Sequence, residues 1–193
     1  MKPSILAFLL SCPILACDGA DEAGDPLEGD TLSALESLAT SEVAVDSARA
    51  DIVDASGVGI GAVILTGSGD GVELNGALIG LPPGEHGFHI HQTGSCEPPI
   101  SESAGSHYAP GGSPHGFDAS GGPHAGDLRN LVVADDSTAT VDQTNEQVSL
   151  EGGAAELLDD DGSALVIHAG PDDYSSQPSG GSGDPIACGV IEG

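Results

Sequence analysis

Six of the seven histidines in this chain lie on one ladder of fixed spacings, and any fold it adopts has to bring that ladder together. The ladder starts with His89 and His91 in G-F-H-I-H and runs through His107, His115 and His124, with Asp127 three residues further on. It ends at His168 in V-I-H-A-G-P-D-D. Imidazole is the commonest transition-metal ligand and a carboxylate its usual hard companion, so the ladder reads as a metal site. Side chains at i and i+2 of a strand point to one face, which lets His89 and His91 grip one ion from a rigid platform. Taken alone, H-x-H fits two ordinary surface or core histidines as well. A loop supplying three more histidines and an aspartate, with a strand-end histidine beyond it, makes a complete ligand cluster.

The frame around the ladder reads as an antiparallel β domain. Ala48 to Asp54, Gly59 to Thr66 and Val72 to Ile79 are short, partly alternating apolar runs, separated by turn material such as Ala55-Ser56-Gly57 and Gly67-Ser68-Gly69-Asp70-Gly71. Further strands are expected at Gly87 to His91, Leu128 to Ala134, Thr138 to Val141, Gln147 to Leu150, Ala164 to His168 and Ala187 to Ile191. The 30 glycines and the absence of Trp suit short strands and tight turns, and long helices are not expected. Two long Gly- and Pro-rich loops, Gln92 to Asp127 and Ala169 to Ile186, hold or flank the whole ladder. Loops of that length in a compact domain are usually functional. Asp159-Asp160-Asp161-Gly162-Ser163 echoes part of a calcium loop but lacks its terminal glutamate, so a β-hairpin turn is the better reading.

The N-terminal residues 1–17 carry one positive charge, a short apolar run and small residues before a cysteine, the pattern of an export signal too short to span a bilayer. Ile14-Leu15-Ala16-Cys17 also fits a bacterial lipobox in which Cys17 is acylated, and Leu9-Leu10-Ser11-Cys12 fits nearly as well but is followed by Pro13. Lipoprotein processing gives the two leader cysteines a use. The expected location is the cell envelope as a lipoprotein, or the periplasm or exterior, with contact to a membrane through that lipid alone. Residues 18–46 are acidic and poor in aromatics and read as a flexible tether, with Leu32, Leu35 and Leu38 spaced for a short transient helix. Residues 47–193 form the folded domain. A net charge of −28 with only three Lys plus Arg excludes nucleic-acid binding, which needs cation clusters on phosphates. Plain solubility and a saline or extracellular setting both account for such acidity.

Five motifs carry a resemblance to a known family: G-E-H-G-F-H-I-H, A-G-S-H-Y-A-P, H-A-G-D-L-R-N, V-I-H-A-G-P-D-D-Y and I-A-C-G-V-I-E-G. In order and internal spacing, from roughly Ala48 to Glu192, the chain resembles the copper/zinc superoxide dismutases. The stretch between Cys96 and His107 and the segment D-D-Y-S-S-Q-P look like the bacterial secreted branch. The resemblance implies an all-β, flattened Greek-key barrel or sandwich with two long functional loops. It also implies copper on His89, His91, His107 and His168, and zinc on His107, His115, His124 and Asp127, with His107 bridging the two metals. Asp172 then matches the carboxylate that hydrogen-bonds ligands of both metals. His86 matches a structural histidine, and Cys96 and Cys188 match a disulfide tying the metal loop to the last strand, worth roughly 4 to 5 kcal/mol in the chain-entropy picture.

The implied activity is dismutation of superoxide through a copper redox cycle, with His107 coupling proton and electron transfer and zinc holding its ring. The family has an arginine three residues before the second disulfide cysteine that orients the anion beside copper. Here that position is Pro185, and no Lys or Arg follows Arg129, which is expected on the next strand. Losing one cation about 6 Å from the substrate costs on the order of 1 to 1.5 kcal/mol, or about tenfold in rate. Two functions follow from this: a dismutase of reduced efficiency, or an exported copper/zinc-binding protein on the same scaffold with little dismutation. Monomer and homodimer both remain open.

Overall fold

The computed structural model describes residues 46–98 and 100–193. The expected signal peptide, the Cys12 and Cys17 processing sites, the short helix near Leu35 and all of the tether but Asp46 lie outside these residues.

Among the described residues there are nine strands and one helical turn. They are β1 (Ser47–Asp54), β2 (Gly59–Ser68), β3 (Gly71–Ile79), β4 (Gly84–His86), β5 (Phe88–His91), α1 (Ile100–Ser103), β6 (Leu131–Val133), β7 (Thr138–Asn145), β8 (Ala164–His168) and β9 (Pro185–Glu192). The strands form one antiparallel sheet in the order β4-β6-β7-β3-β2-β1-β9-β8-β5. Its two end strands, β4 and β5, are consecutive in the chain and separated only by Gly87. The Gly87 N–H donates to the Gly170 carbonyl at 2.7 Å, and its own carbonyl accepts from the His168 N–H at 2.9 Å. The sheet therefore curls into a nearly closed barrel of the all-β type read from the sequence.

Burial alternates residue by residue along β1 and β3, as a sheet with one wet face requires. The inward set, including Ile52, Val63, Leu65, Leu74 and Leu78, fills the barrel with Phe88, Ile90, Leu165 and Ile167. By contrast β5 and β8 are buried at every position. Their outward faces lie under the long loops, where Ala164, Val166 and Cys188 pack with Ala104 of the metal loop and half-buried Cys96. The expected disulfide is present there: Cys96 joins Cys188 across 92 positions of sequence and pins the start of that loop to β9.

Several expected elements differ from the structure. Gln147 to Leu150 is not a strand; Val148 and Leu150 are buried, but Ser149 makes only an isolated parallel bridge to Glu156. The Asp159 to Gly162 turn exists, closed by Gly162 N–H on the Asp159 carbonyl at 3.1 Å, yet it joins no hairpin because the segment before it has no paired strand. Leu128 to Ala134 contracts to Leu131–Val133, and β4 was not anticipated at all.

Candidate metal centre

The loop between β5 and β6 folds back along the free edge of β5. Tyr108 N–H donates to the Ile90 carbonyl and Ile90 N–H to the Gly126 carbonyl, each at 2.8 Å, while Gly126 N–H donates to Tyr108 at 2.8 Å. Both legs of the loop are thereby held as short extra strands, with His91 bridged to His107 and His89 to Asp127. A side chain at Gly126 would collide with the Ile90 carbonyl, so glycine is what lets the second leg come this close. On the other side β8 pairs with β5, His89 lying opposite Val166, and delivers His168 at its end.

All seven ladder residues converge. Donor atoms of His89, His91, His107 and His168 lie within 4.8 Å of one another, as do those of His107, His115, His124 and Asp127. His107 belongs to both sets. In the second, Asp127 Oδ1 lies 3.0 Å from Nδ1 of His107, 3.0 Å from Nδ1 of His115 and 3.3 Å from Nδ1 of His124. A tetrahedron with metal–ligand bonds near 2.0 Å has edges of about 3.3 Å, so this spacing suits a tetrahedral ion.

Hydrogen bonding at the far side of each ring selects the tautomer. His91 Nδ1–H donates to the Gly105 carbonyl and His168 Nδ1–H to the Gly183 carbonyl, both at 2.8 Å, while His89 Nε2–H donates to Asp172 Oδ2 at 2.8 Å. The nitrogens left over are His89 Nδ1, His91 Nε2 and His168 Nε2; together with His107 Nε2 they are buried and without a hydrogen-bond partner. Four orphaned lone pairs facing one another are costly unless a cation takes them, which is the arrangement a bound metal satisfies. Burial holds His89 and His91 neutral, pushing each down to about 3, and the neighbouring imidazoles act in the same direction. Burial likewise lowers His168 and His124. At Asp127 burial acts the other way, but hydrogen bonds from His107 and the Gly116 N–H win and keep it ionised well below the usual carboxylate range. A neutral imidazole set beside an imidazole–carboxylate set is a fitting host for two different cations.

Asp172 sits where the sequence pattern put it, fully inside, with Oδ1 3.0 Å from His115 Nε2 and Oδ2 2.8 Å from His89 Nε2. One carboxylate thus orients a ring from each set. His86 is buried outside both sets, its ring nitrogens 2.7 Å from the His168 carbonyl and 2.8 Å from that of Pro82. Arg129 does not lie on the strand expected for it but precedes β6, and its guanidinium lies 3.9 Å over the Phe117 ring.

The sequence missed three supports. Asn130 holds Asp172 through its main chain, and Gln177 clamps the His115 backbone, accepting from its N–H at 2.9 Å and donating to its carbonyl at 2.8 Å. A side chain at Gly180 would run into both the Asp172 carboxylate and the His115 ring.

The family model for copper/zinc superoxide dismutase matches residues 60–191. The chain belongs to the copper/zinc superoxide dismutase family. It is 44% identical over 146 residues to Cu-Zn superoxide dismutase 2 of Aquifex aeolicus, covering 75% of this chain and 85% of that one. It is 38% identical over 162 residues to the Cu-Zn superoxide dismutase of Escherichia coli K12, covering 78% and 90%. Among solved structures it is similar to a superoxide dismutase-like protein from Bacillus subtilis, with a TM-score of 0.71 at 39% identity, covering 74% of this chain and 96% of that one. Copper and zinc are the metals of this superoxide dismutase family, and the orphaned donor set accommodates both.

Proposed function

We propose that this chain dismutates superoxide, with His89, His91, His107 and His168 holding copper and His107, His115, His124 and Asp127 holding zinc. The observation that carries the reading is the single His107 ring shared by two four-donor sets. When bound, copper supplies an electron relay, taking one electron from a first superoxide to release oxygen and returning it to a second, which leaves as hydrogen peroxide after gaining two protons. His107 keeps Nδ1 on the Asp127 side, while its Nε2 faces the four-histidine set and is the atom able to take up a proton and give it back between half-reactions. Asp172 fixes the rings of His89 and His115 so that neither turns as charge changes beside it. A cleft of about 440 Å³ bordered by His91, His107 and His168 gives a small diatomic anion its approach.

A second reading is supported by the wall of that cleft. Pro185 stands where the family has its anion-guiding arginine, and among the described residues the wall offers no Lys or Arg. An exported copper/zinc-binding protein with little turnover fits such a wall. Elemental analysis together with a superoxide turnover assay on one metal-loaded sample separates the two: both metals with turnover supports the dismutase, and both metals without turnover supports the binding protein.

We also propose export, supported by the Cys96–Cys188 disulfide, since disulfides persist in oxidising compartments. In that setting residues 1–17 act as the leader, 18–46 as the tether and 47–193 as the metal domain.

A further inference from the structure

The cleft over the four-histidine set is bordered by Pro178, Asp184 and Pro185 on the side of the second long loop. Asp184 is exposed there, adjacent to Pro185, which lies opposite His168 in the β8–β9 pairing. Among the described residues no Lys or Arg borders the cleft beside it. Among the described residues the basic side chains besides histidine are Arg49, tied to Asp51 on β1, and Arg129, stacked on Phe117. The other polar groups on the wall, Gln92, Ser106 and Ser179, offer hydrogen bonds without charge.

We propose that Asp184 weakens the binding of anionic relative to neutral small ligands in this cleft, an effect opposite in sign to that of an arginine at position 185. The inference rests on copper being held by the four histidines. An anion entering the cleft feels the attraction of the metal and, at the rim, an opposing carboxylate within a largely acidic molecule of net charge −28. One unit charge acting over a side chain's reach across partly hydrated space changes binding by about threefold to sevenfold. Because the effect on anions is repulsive, salt weakens it, and anion affinity rises with ionic strength instead of falling. A neutral ligand of similar size feels none of this.

The test is a titration of the copper- and zinc-loaded protein, at a pH alkaline enough to keep imidazole uncharged, with azide as the anion and imidazole as the neutral ligand, followed by the visible absorption of copper, with ionic strength set by sodium sulfate. Asp184→Asn is nearly isosteric and leaves the main-chain bond from Ala169 N–H to the Asp184 carbonyl intact. It is expected to tighten azide about threefold to sevenfold at low ionic strength, to leave imidazole unchanged, and to lose its advantage at high ionic strength. Asp184→Glu should behave as the wild type. Equal azide affinity in wild type and Asp184→Asn, or a parallel shift of azide and imidazole, overturns the role of Asp184 while copper remains bound. Absence of copper from the loaded wild type overturns the four-histidine reading itself, and the role of Asp184 with it.

Discussion

Asn130 and Asp172 grip each other through two hydrogen bonds: the Asp172 N–H donates to Asn130 Oδ1 at 2.9 Å, and Asn130 Nδ2–H donates to the Asp172 carbonyl at 3.0 Å. The amide fixes the backbone of Asp172, and the Tyr174 N–H, donating to its Oδ1 at 2.7 Å, fixes its side chain. The carboxylate is thus set to span His89 and His115 before any metal arrives. Asp172→Asn would present an amide N–H to one of two ring N–H groups, leaving one ring without an acceptor. Zinc affinity should fall by about 10- to 100-fold, the usual cost of losing a partner that orients a ligand. Asn130→Ala should give a smaller loss in the same direction. Chelator competition on both variants checks this, and zinc affinity equal to wild type in Asp172→Asn would contradict it.

The two donor sets predict one copper and one zinc per chain after loading with both ions. Removing the shared ring separates them from a random cluster. In His107→Ala each set loses a donor, so both metals should weaken together, whereas His124→Ala should weaken zinc and leave copper near stoichiometric. Elemental analysis after dialysis reads both. Copper without zinc in the wild type would indicate a single-metal site.

Acid should destabilise the metal-free protein. His89 and His91 are held at about 3 in the fold against 6.5 for a free side chain, because burial disfavours the charged ring. Below 6.5 the unfolded chain takes up protons that the fold refuses, so stability is full above 6.5 and declines as pH falls toward 3. His168 and His124 are lowered too and act in the same sense. Between pH 7.5 and 5 the loss should be at least about 4 kcal/mol. That window stays above the range in which most carboxylates titrate, so relief of the acidic self-repulsion enters little. Urea unfolding of chelator-treated protein at pH 7.5, 6 and 5 measures it, and a flat profile would be incompatible with buried neutral imidazoles.

The parts of this molecule legible in the sequence are those with periodicity or spacing. β1 and β3 announce themselves by alternation, and the ladder from His89 to His168 keeps the spacings of its ligand sets even inside irregular loops. Val148 and Leu150 alternate as well, but they pack on the core from a loop with no strand beside them, and period alone does not distinguish the two cases. β4 is the Gly84–His86 stretch of P-P-G-E-H, directly after two prolines, and exists because β6 offers it a partner. Arg129 left its expected strand for the aromatic face of Phe117. Asn130, Gln177 and Gly180 carry no local signal: each acts on a residue 42, 62 or 8 positions away in the chain, through contacts that exist only once the two long loops meet.

Export makes a separate prediction. If Cys17 is acylated, the processed protein should partition into the detergent phase, and Cys17→Ser should release or misprocess it. Cys12→Ser should leave partitioning unchanged. Equal partitioning of wild type and Cys17→Ser would remove the lipid anchor and leave the metal domain as described.

Pro185 opens β9 opposite His168 and lines the cleft over the four-histidine set. Pro185→Arg would place a guanidinium on that wall, and its efficiency toward superoxide should rise by up to about tenfold, most at low ionic strength where the added charge is least screened. Two features of the site limit the gain. Asp184 is the adjacent residue and would neutralise part of the new charge, and removing the ring that fixes φ loosens the strand entry beside Gly183. Pro185→Lys should gain less, since an ammonium lacks the planar fork that orients a diatomic anion. Combining Pro185→Arg with Asp184→Asn should exceed either change alone, because one adds attraction and the other removes repulsion at the same rim. Stopped-flow decay of superoxide at two ionic strengths reads all five proteins, wild type, the three single variants and the double. No turnover in any of them, with copper and zinc both bound, would retire the dismutase reading in favour of metal binding.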